Sequence, residues 1–257
     1  MGHIRLGNLP RTRKWTQVVE LIAGGAGAAQ IANATIRAAE QGLNLAAEDK
    51  ALVESFWLLT QLPLAAKKEN FANALRQAGL EVSDSPGLME LVSAMSDTID
   101  ARLTNNAGRT DLGEMAQMAA SETIAKVISE KTQSLYGVEP EDVQRALASS
   151  GTVRQFGKLA RQFFSRVTNR FLDYFVSRTV SDHLGPGERF PTLAAQSKFK
   201  EALEVHSFEA SKIVERFSGE WVSKTNWENE GISRQEAARF THVAMRKLVD
   251  ELKAGAQ

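Results

Sequence analysis

Cysteine is absent from this chain of 257 residues. Its absence excludes disulfides, thiolate metal sites and cysteine nucleophiles, and it favours a reducing compartment. Long apolar runs are absent as well, because the longest, residues 55–66, is about half a membrane span and contains Pro63. The first residues, MGHIRLGNLPRTRKW, contain no apolar segment of the kind found in a signal peptide. We therefore expect a cytoplasmic protein that does not enter a membrane.

Several catalytic signatures are also missing. The segment AGGAGAA, residues 23–29, lacks the lysine of a phosphate-binding loop and the strand that precedes one. The chain contains no Gly-x-Ser-x-Gly nucleophile elbow. None of the four histidines has the His-x-x-x-His or His-Glu-x-x-His spacing of a zinc site. We therefore predict no cofactor and no bound metal.

Net charge is likewise lacking, because 31 basic and 31 acidic residues cancel. The charges are nevertheless segregated along the chain. Residues 1–19 carry a net charge of +4 and residues 152–181 carry +5, whereas residues 20–151 carry −8. This asymmetry predicts either a basic face for an anionic partner or ion pairs between the basic and acidic segments. We favour the ion pairs.

Helical periodicity, in contrast, is present along almost the whole chain. Apolar residues recur every three to four positions, and no segment shows the sustained period of two that marks a half-buried strand. The pattern predicts an all-α fold, a multi-helix bundle of about ten helices. The segment TNNAGRT is typical of a loop. It suggests a smaller N-terminal helical subdomain, residues 1–106, packed on a C-terminal bundle, residues 107–257.

The most informative helix is predicted to begin near Thr152 and to be unusually long for a globular protein. Its apolar positions recur at spacings of four and three, and six of the eighteen aromatic residues lie between Phe156 and Phe175. Such a stripe is more typical of a buried core than of a surface that stacks nucleotide bases. We expect this helix, residues 152–184, to be the central helix of the C-terminal bundle.

The remaining C-terminal sequence predicts two further helices. One is expected at residues 192–217, with Trp221 and Trp227 in an irregular connection after it. Ser233 and Glu236 have the spacing of a capping box and are expected to open the last helix.

The segment SRTVSDHLGPG, which begins at Ser177, contains the one short pattern that points to catalysis. Arg178 is followed, after four residues, by His183. This spacing resembles the motif of HEPN-type ribonucleases, in which Arg and His are separated by four to six residues and act on RNA without a metal. The resemblance implies that Arg178 stabilises phosphate charge, while His183 supports proton transfer or orients the scissile group.

The same residues also have a structural explanation, which we favour. Arg178 and Asp182 are four positions apart and can pair along one helical face. His183 is expected in the last turn of the helix, where its side chain complements the helix dipole. Gly185 and Pro186 would then end the helix. A HEPN-like ribonuclease that uses Arg178 and His183 is therefore an alternative rather than the leading hypothesis.

His206 lies on the apolar face of a predicted helix, between Leu203 and Ala210. A lone histidine at such a position is usually a core residue that donates to a carbonyl or hydroxyl oxygen. The alternative is that it meets His183 or His242 in an acid–base or metal site. The spacing of the histidines does not support a metal.

The basic central helix is a candidate nucleic-acid-binding surface. Its cations form one row of Arg154, Lys158 and Arg161, and a second row of Arg166 and Arg170. Rows of this kind can contact phosphates, and the segment around the start of the helix has a helix–turn–helix outline. The length of the helix, its inward-facing aromatic residues and the neutral chain argue against a dedicated nucleic-acid binder.

A basic N-terminal arm is the other candidate contact surface. Its cations are Arg5, Arg11, Arg13 and Lys14, and Pro10 interrupts it. Such a segment is typical of one that becomes ordered against a partner. Because no catalytic constellation is convincing, we predict a non-catalytic helical subunit or adaptor of a cytoplasmic, bacterial multi-protein assembly. Its partners would be other protein subunits, with RNA or DNA as the alternative.

Overall fold

The computed structural model describes residues 12–40, 49–106, 110–132 and 139–254, except for the side chains of residues 104–106 and 178. Within these ranges the chain forms eleven α-helices and no β-sheet, which confirms the all-α prediction. Of these helices, none is both long and apolar enough to cross a membrane. In chain order they are α1 (Arg13–Ala23), α2 (Ala28–Ala38), α3 (Lys50–Ala65), α4 (Phe71–Gln77), α5 (Leu88–Asn106), α6 (Asp111–Lys131), α7 (Pro140–Ser150), α8 (Val153–Asp182), α9 (Leu193–Ala210), α10 (Lys212–Asn229) and α11 (Arg234–Ala254).

Helix α8 begins where the sequence predicts it. Thr152 is the N-cap, and its hydroxyl accepts a hydrogen bond from the N–H of Gln155 (3.4 Å), which satisfies one of the free donors of the first turn. The helix then runs for 30 residues and packs against α1, α2, α6, α7, α9 and α10. The prediction of one long central helix is confirmed.

The aromatic stripe of α8 is buried against α3 and α11. The rings of Phe156, Phe163 and Phe164 surround Phe56 of α3, with centroids 6.3, 6.1 and 5.4 Å away, respectively. Phe240 of α11 stacks on Phe56 with centroids 4.8 Å apart. Aromatic pairs at these separations contribute stabilising free energy in addition to that of the surface area that they bury. The stripe is therefore part of the core, as its spacing predicted.

The capping box of the last helix is also confirmed. The Ser233 hydroxyl accepts the N–H of Glu236 (3.2 Å), and the Glu236 carboxylate accepts the N–H of Ser233 (2.7 Å). The hydrogen bond from the Ser233 backbone lowers the pKa of Glu236, because it stabilises the ionised carboxylate. Local sequence thus determines where α11 starts.

The helix predicted for residues 192–217 is instead two helices, and that prediction is wrong. Helices α9 and α10 are separated at Ser211. The hydroxyls of Ser207 and Ser211 each donate to the carbonyl oxygen four residues earlier, at 2.9 and 2.7 Å. Such bonds often bend a helix. Trp221 and Trp227, which we expected in an irregular connection, belong to α10.

Helices on both sides of the predicted 106/107 boundary share one core. Helix α3 packs against α6 and α11, and buried residues from both parts form one hydrophobic cluster. Asp49 caps α3 and Thr110 caps α6, and the Thr110 hydroxyl donates to the Asp49 carboxylate (2.6 Å). The division into residues 1–106 and 107–257 stays a prediction about units of folding.

Candidate functional site

His183 lies one residue beyond the end of α8 rather than within its last turn. The helix ends at Asp182, and His183 occupies the C-cap position. The N–H of Phe190 donates to the His183 carbonyl, and the N–H of Gly185 donates to the Phe190 carbonyl, each at 3.0 Å. The Nδ1 atom of His183 is 3.5 Å from a carboxylate oxygen of Glu188. The loop after α8 therefore holds this histidine beside an acid from the same loop.

Arg178 belongs to α8, but its side chain lies outside the described residues. The predicted contact between Arg178 and Asp182 depends on that side chain, and so does the predicted catalytic pair with His183. Both stay predictions, and the ribonuclease hypothesis rests on the sequence spacing.

Arg161 is engaged within the protein. Its guanidinium lies 3.0 Å from Glu209 of α9 and 2.9 Å from Glu215 of α10, and it stacks over the ring of Phe208 at 3.8 Å. Its side chain is 13% exposed. Two carboxylates and an aromatic face already surround this arginine, and its role as a nucleic-acid contact stays a prediction.

Arg166 and Arg170 are paired with Glu122 of α6. The Nε atom of Arg166 is 3.6 Å from the carboxylate, and Arg170 donates a hydrogen bond to the same group. Burial lowers the pKa of the Arg166 guanidinium, and Glu122 opposes that shift. These contacts join the basic helix to the acidic segment 20–151, which is the internal pairing that we favoured from the charge distribution.

Arg154 and Lys158 are the two cations of the predicted rows that are exposed. Within the described part of the chain, neither side chain forms an ion pair or a hydrogen bond. Both lie in the first turns of α8. A partner would therefore meet a short basic surface at the start of this helix rather than a row along its whole length.

The basic N-terminal arm is described only from residue 12 onward. Arg13 is exposed, and Lys14 donates to the backbone carbonyl of Arg37 (3.2 Å). Arg5 and Arg11 lie outside the described residues. The role of the arm as a partner contact stays a prediction.

His206 is half-buried on α9, and its Nε2 atom has no hydrogen-bond partner. Burial lowers the pKa of the imidazole, because the charged form loses its hydration. His206 therefore makes no Nε2 hydrogen bond to His183. Within the described ranges, no group of three or more acidic or histidine side chains is arranged to hold a metal.

A groove that the sequence did not reveal opens where α8 begins. It lies between the end of α3, the turn before α8 and the second half of α10, and its volume is about 500 Å³. We call it the Trp227 groove. Its lining residues are Leu64, Lys67, Gly151, Thr152, Val153, Phe156, Gly219, Glu220, Val222, Ser223, Lys224, Asn226 and Trp227.

Trp227 is an exposed tryptophan in a protein that buries its other tryptophans wholly or in part. Its relative exposure is 86%, whereas Trp15 and Trp57 are buried and Trp221 is half-buried. Val153, in the same groove, is 48% exposed. Exposed apolar groups that lie together typically mark contact surfaces. The groove is therefore the strongest candidate for a binding site on the described surface.

Two glycines allow the helix crossing that forms the groove. A Cβ atom at Gly219 would lie 1.9 Å from the carbonyl oxygen of Val153, and one at Gly157 would lie 2.8 Å from that of Glu215. Both distances are shorter than any normal contact of a Cβ atom, so the close approach of α8 and α10 requires glycine. Because the two helices run in opposite directions, α10 continues past the start of α8 and presents Trp227 there.

Three charged side chains also line the groove. The Lys67 ammonium donates to the carbonyl of Gly151 (2.7 Å), which ties the end of α3 to the turn before α8. Lys224 lies 3.7 Å from Glu228, and both side chains are largely exposed. Glu220 is the one acidic lining residue. The lining therefore carries two positive charges and one negative charge.

The sequence contained a signal for α10 but not for the groove. Ile213, Phe217 and Trp221 are spaced by four, and all three pack partly against the core. That spacing would have predicted a helix through Trp221. Trp227 does not continue this series of four-residue spacings. It is exposed because α10 extends past the start of α8.

Comparison of the chain with protein families, with curated proteins and with solved structures gives no match. The fold defines the class of the protein, an all-α multi-helix bundle. The functional argument therefore rests on the geometry and charge of the groove and of α8.

Proposed function

We propose that this protein is a non-catalytic helical subunit or adaptor of a cytoplasmic multi-protein assembly, and that it acts through protein–protein contacts. The observation that carries the proposal is Trp227, which is 86% exposed in the lining of the groove where α8 begins. Tryptophan is enriched at protein interfaces, where a few aromatic anchors supply most of the binding free energy.

The groove has the layered composition of a contact surface. Phe156 and Val222 line it and are buried, whereas Val153 and Trp227 are exposed. Removing apolar surface from water stabilises a complex by about 25 cal/mol per Å². A partner that covers Val153 and Trp227 gains this free energy from area that the fold leaves in water.

The ion pairs of α8 favour a protein partner over a nucleic acid. Arg161, Arg166 and Arg170 contact carboxylates of α6, α9 and α10. Arg154 and Lys158 are then the cations of the predicted rows that face solvent. Nucleic-acid binding depends on neutralising several phosphates at once. The two exposed cations of these rows supply little of that attraction.

Native purification from cells of the source organism tests the proposal. The tagged chain is purified as wild type and as Trp227→Ala, and the co-purifying proteins are quantified by mass spectrometry. We expect at least one protein to co-purify in fixed stoichiometry with the wild type and to be lost from Trp227→Ala. Met89→Ala removes another highly exposed apolar side chain (78%), on α5. This matched control should retain the partner.

Three results would contradict the proposal. A monodisperse monomer without partners, in wild type and variants alike, would remove the assembly. A partner that Trp227→Ala retains would place the contact elsewhere. RNA cleavage that persists in Trp227→Ala and is lost in His183→Ala would establish the ribonuclease alternative instead.

A further inference from the structure

We infer that the Trp227 groove binds an acidic segment of a protein partner, which anchors an apolar side chain against Trp227 and directs carboxylates to the surrounding cations. This inference rests on the proposed function, because it specifies the chemistry of the partner that the groove receives. Charge complementarity and the exposed apolar centre carry it.

Cations outnumber acids around the groove. Lys67 and Lys224 line it, Lys68 follows directly in the chain, and Arg154 is adjacent to a lining residue of α8. Glu220 is the one acid in the lining, and Glu228 directly follows the lining residue Trp227. Four cations therefore face two acids. A segment of negative charge is therefore attracted to this surface, and a basic segment is repelled.

These cations are available to carboxylates of a partner. Lys68 and Arg154 are exposed, and their side chains have no partner within the described part of the chain. The Lys67 ammonium uses one proton on a backbone carbonyl (2.7 Å) and retains two others. Lys224 contacts Glu228 at 3.7 Å, but an ion pair as exposed as this contributes little stability. Lys224 can therefore exchange Glu228 for a carboxylate of the partner.

The apolar centre requires an anchor as well as charge. Trp227 and Val153 are 86% and 48% exposed, and a purely acidic segment would leave both in water. Interfaces typically combine a central aromatic or aliphatic anchor with a polar rim. An acidic segment with a large apolar residue matches both parts of the groove.

Single-stranded nucleic acid is the less favoured occupant. Surfaces that bind it stack successive bases on several aromatic rings, whereas Trp227 is the exposed ring of this groove.

Selection from a random-peptide display library tests the inference. The library is panned in parallel on the wild-type chain and on Trp227→Ala, and the peptides enriched on the wild type alone are sequenced. We expect these peptides to carry net negative charge and at least one large apolar residue. Random peptides are used so that the composition of the selected set, rather than a chosen ligand, gives the result.

Charge reversal measures the contribution of individual cations. A synthetic peptide from the selected set should bind Lys224→Glu and Arg154→Glu with about tenfold lower affinity than wild type, as measured by fluorescence anisotropy. Lys198→Glu reverses an exposed charge on α9 and should bind like the wild type. Circular dichroism of each variant confirms that the fold is retained. A labelled single-stranded RNA oligonucleotide is titrated against the same proteins.

The outcomes separate the inference from the proposed function. Selected peptides that depend on Trp227 but are neutral or basic would overturn the inference and leave the proposed function standing. Unchanged peptide affinity in both charge-reversal variants would have the same consequence. A selection without any Trp227-dependent peptide would contradict the proposed function itself. RNA binding that depends on Trp227 and falls steeply with salt would replace both with nucleic-acid binding.

Discussion

The hydrogen atom of Gly219 occupies the place where a methyl group would lie 1.9 Å from the carbonyl oxygen of Val153. Alanine is normally more favourable than glycine inside a helix, by about 1 kcal/mol. At Gly219 that preference is reversed, because a backbone atom of α8 stands in the way and the two helices must separate to admit a side chain.

We expect Gly219→Ala to lower the free energy of unfolding by about 1–3 kcal/mol, the usual cost of forcing extra volume into a packed site. Chemical denaturation followed by circular dichroism measures the change. Gly87→Ala is the matched control, since a Cβ atom there would meet nothing within 4 Å, and its effect should stay below about 1 kcal/mol. Equal stability of Gly219→Ala and wild type would show that α8 and α10 do not approach this closely.

The second residue with a measurable consequence is His206. Burial lowers the pKa of its imidazole below the ordinary value of about 6.5. The unfolded chain therefore takes up a proton at a higher pH than the folded protein does. Well above the ordinary pKa of about 6.5, the imidazole of His206 leaves the free energy of unfolding unchanged. As the pH falls below that value, the imidazole destabilises the fold progressively, because the unfolded chain binds the proton first.

We expect His206→Gln to lose less thermal stability than wild type when the pH is lowered from about 7 to about 5. His242→Gln serves as the control, because His242 is exposed on α11, and it should follow the wild-type pH profile. Melting temperatures across the pH range give the comparison. Identical acid sensitivity of His206→Gln and wild type would mean that protonation of His206 does not destabilise the folded state.

Helices are predictable from sequence where local signals and periodicity agree. Thr152 provides a cap for α8, and its aromatic residues recur at helical spacing, so the start and the buried face both follow from the sequence. The break between α9 and α10 does not follow from the sequence, because the apolar spacing continues across Ser211, from Leu203 and Ala210 to Ile213 and Phe217. Hydroxyl groups of Ser207 and Ser211, bonded to the backbone, accompany the break. Whether a serine bonds in this way depends on its tertiary surroundings.

The Trp227 groove could not be predicted, because it joins three distant segments. Lys67, Val153 and Trp227 come together through the crossing of α8 and α10. In the sequence, Gly157 and Gly219 indicate weak helix formers rather than a close approach. The arginines of α8 were identifiable as candidates, but their acidic partners lie on other helices, so their neutralisation required the structure.

Glu54 joins three helices through a buried carboxylate. The guanidinium of Arg234, on α11, donates to both of its oxygens at 2.8 Å, and the Nε atom of Arg102, on α5, lies at 3.1 Å. The Glu54 side chain is 5% exposed. Two-pronged contacts of this kind fix orientation as well as distance. Helix α3 is thereby held to α5 and α11 by charge in addition to the aromatic core.

We expect Glu54→Gln to lower the free energy of unfolding by about 2–3 kcal/mol, because it leaves two arginines facing a neutral, buried amide. The loss is smaller than for a fully buried pair, since the side chains of Arg234 and Arg102 are 35% and 48% exposed. Glu130→Gln breaks an exposed pair with Lys126 and should change stability by less than about 0.5 kcal/mol. Similar losses in the free energy of unfolding for the two substitutions, measured by urea denaturation, would show that solvent screens the ion pairs of Glu54 with Arg234 and Arg102.

For the molecule as a whole, the shared core opposes the independence of the two predicted parts. Buried residues from α1 to α11 form one cluster, and α3 is packed between helices from both sides of residue 106. Two subdomains that unfold separately would each need a core of its own. Removal of either part would expose the apolar surface that the other now covers.

We therefore expect one cooperative unfolding transition for the chain, with the same midpoint wherever it is observed. Two single-tryptophan variants test this: one keeps Trp57 in α3, the other keeps Trp221 in α10, and phenylalanine replaces the remaining tryptophans. In each variant, the fluorescence midpoint in urea is compared with the midpoint from far-UV circular dichroism. Coincident midpoints in both variants indicate one folding unit. A fluorescence midpoint displaced to lower urea in one variant and to higher urea in the other would instead support separate units at residues 1–106 and 107–257, because each tryptophan would then report the stability of its own part.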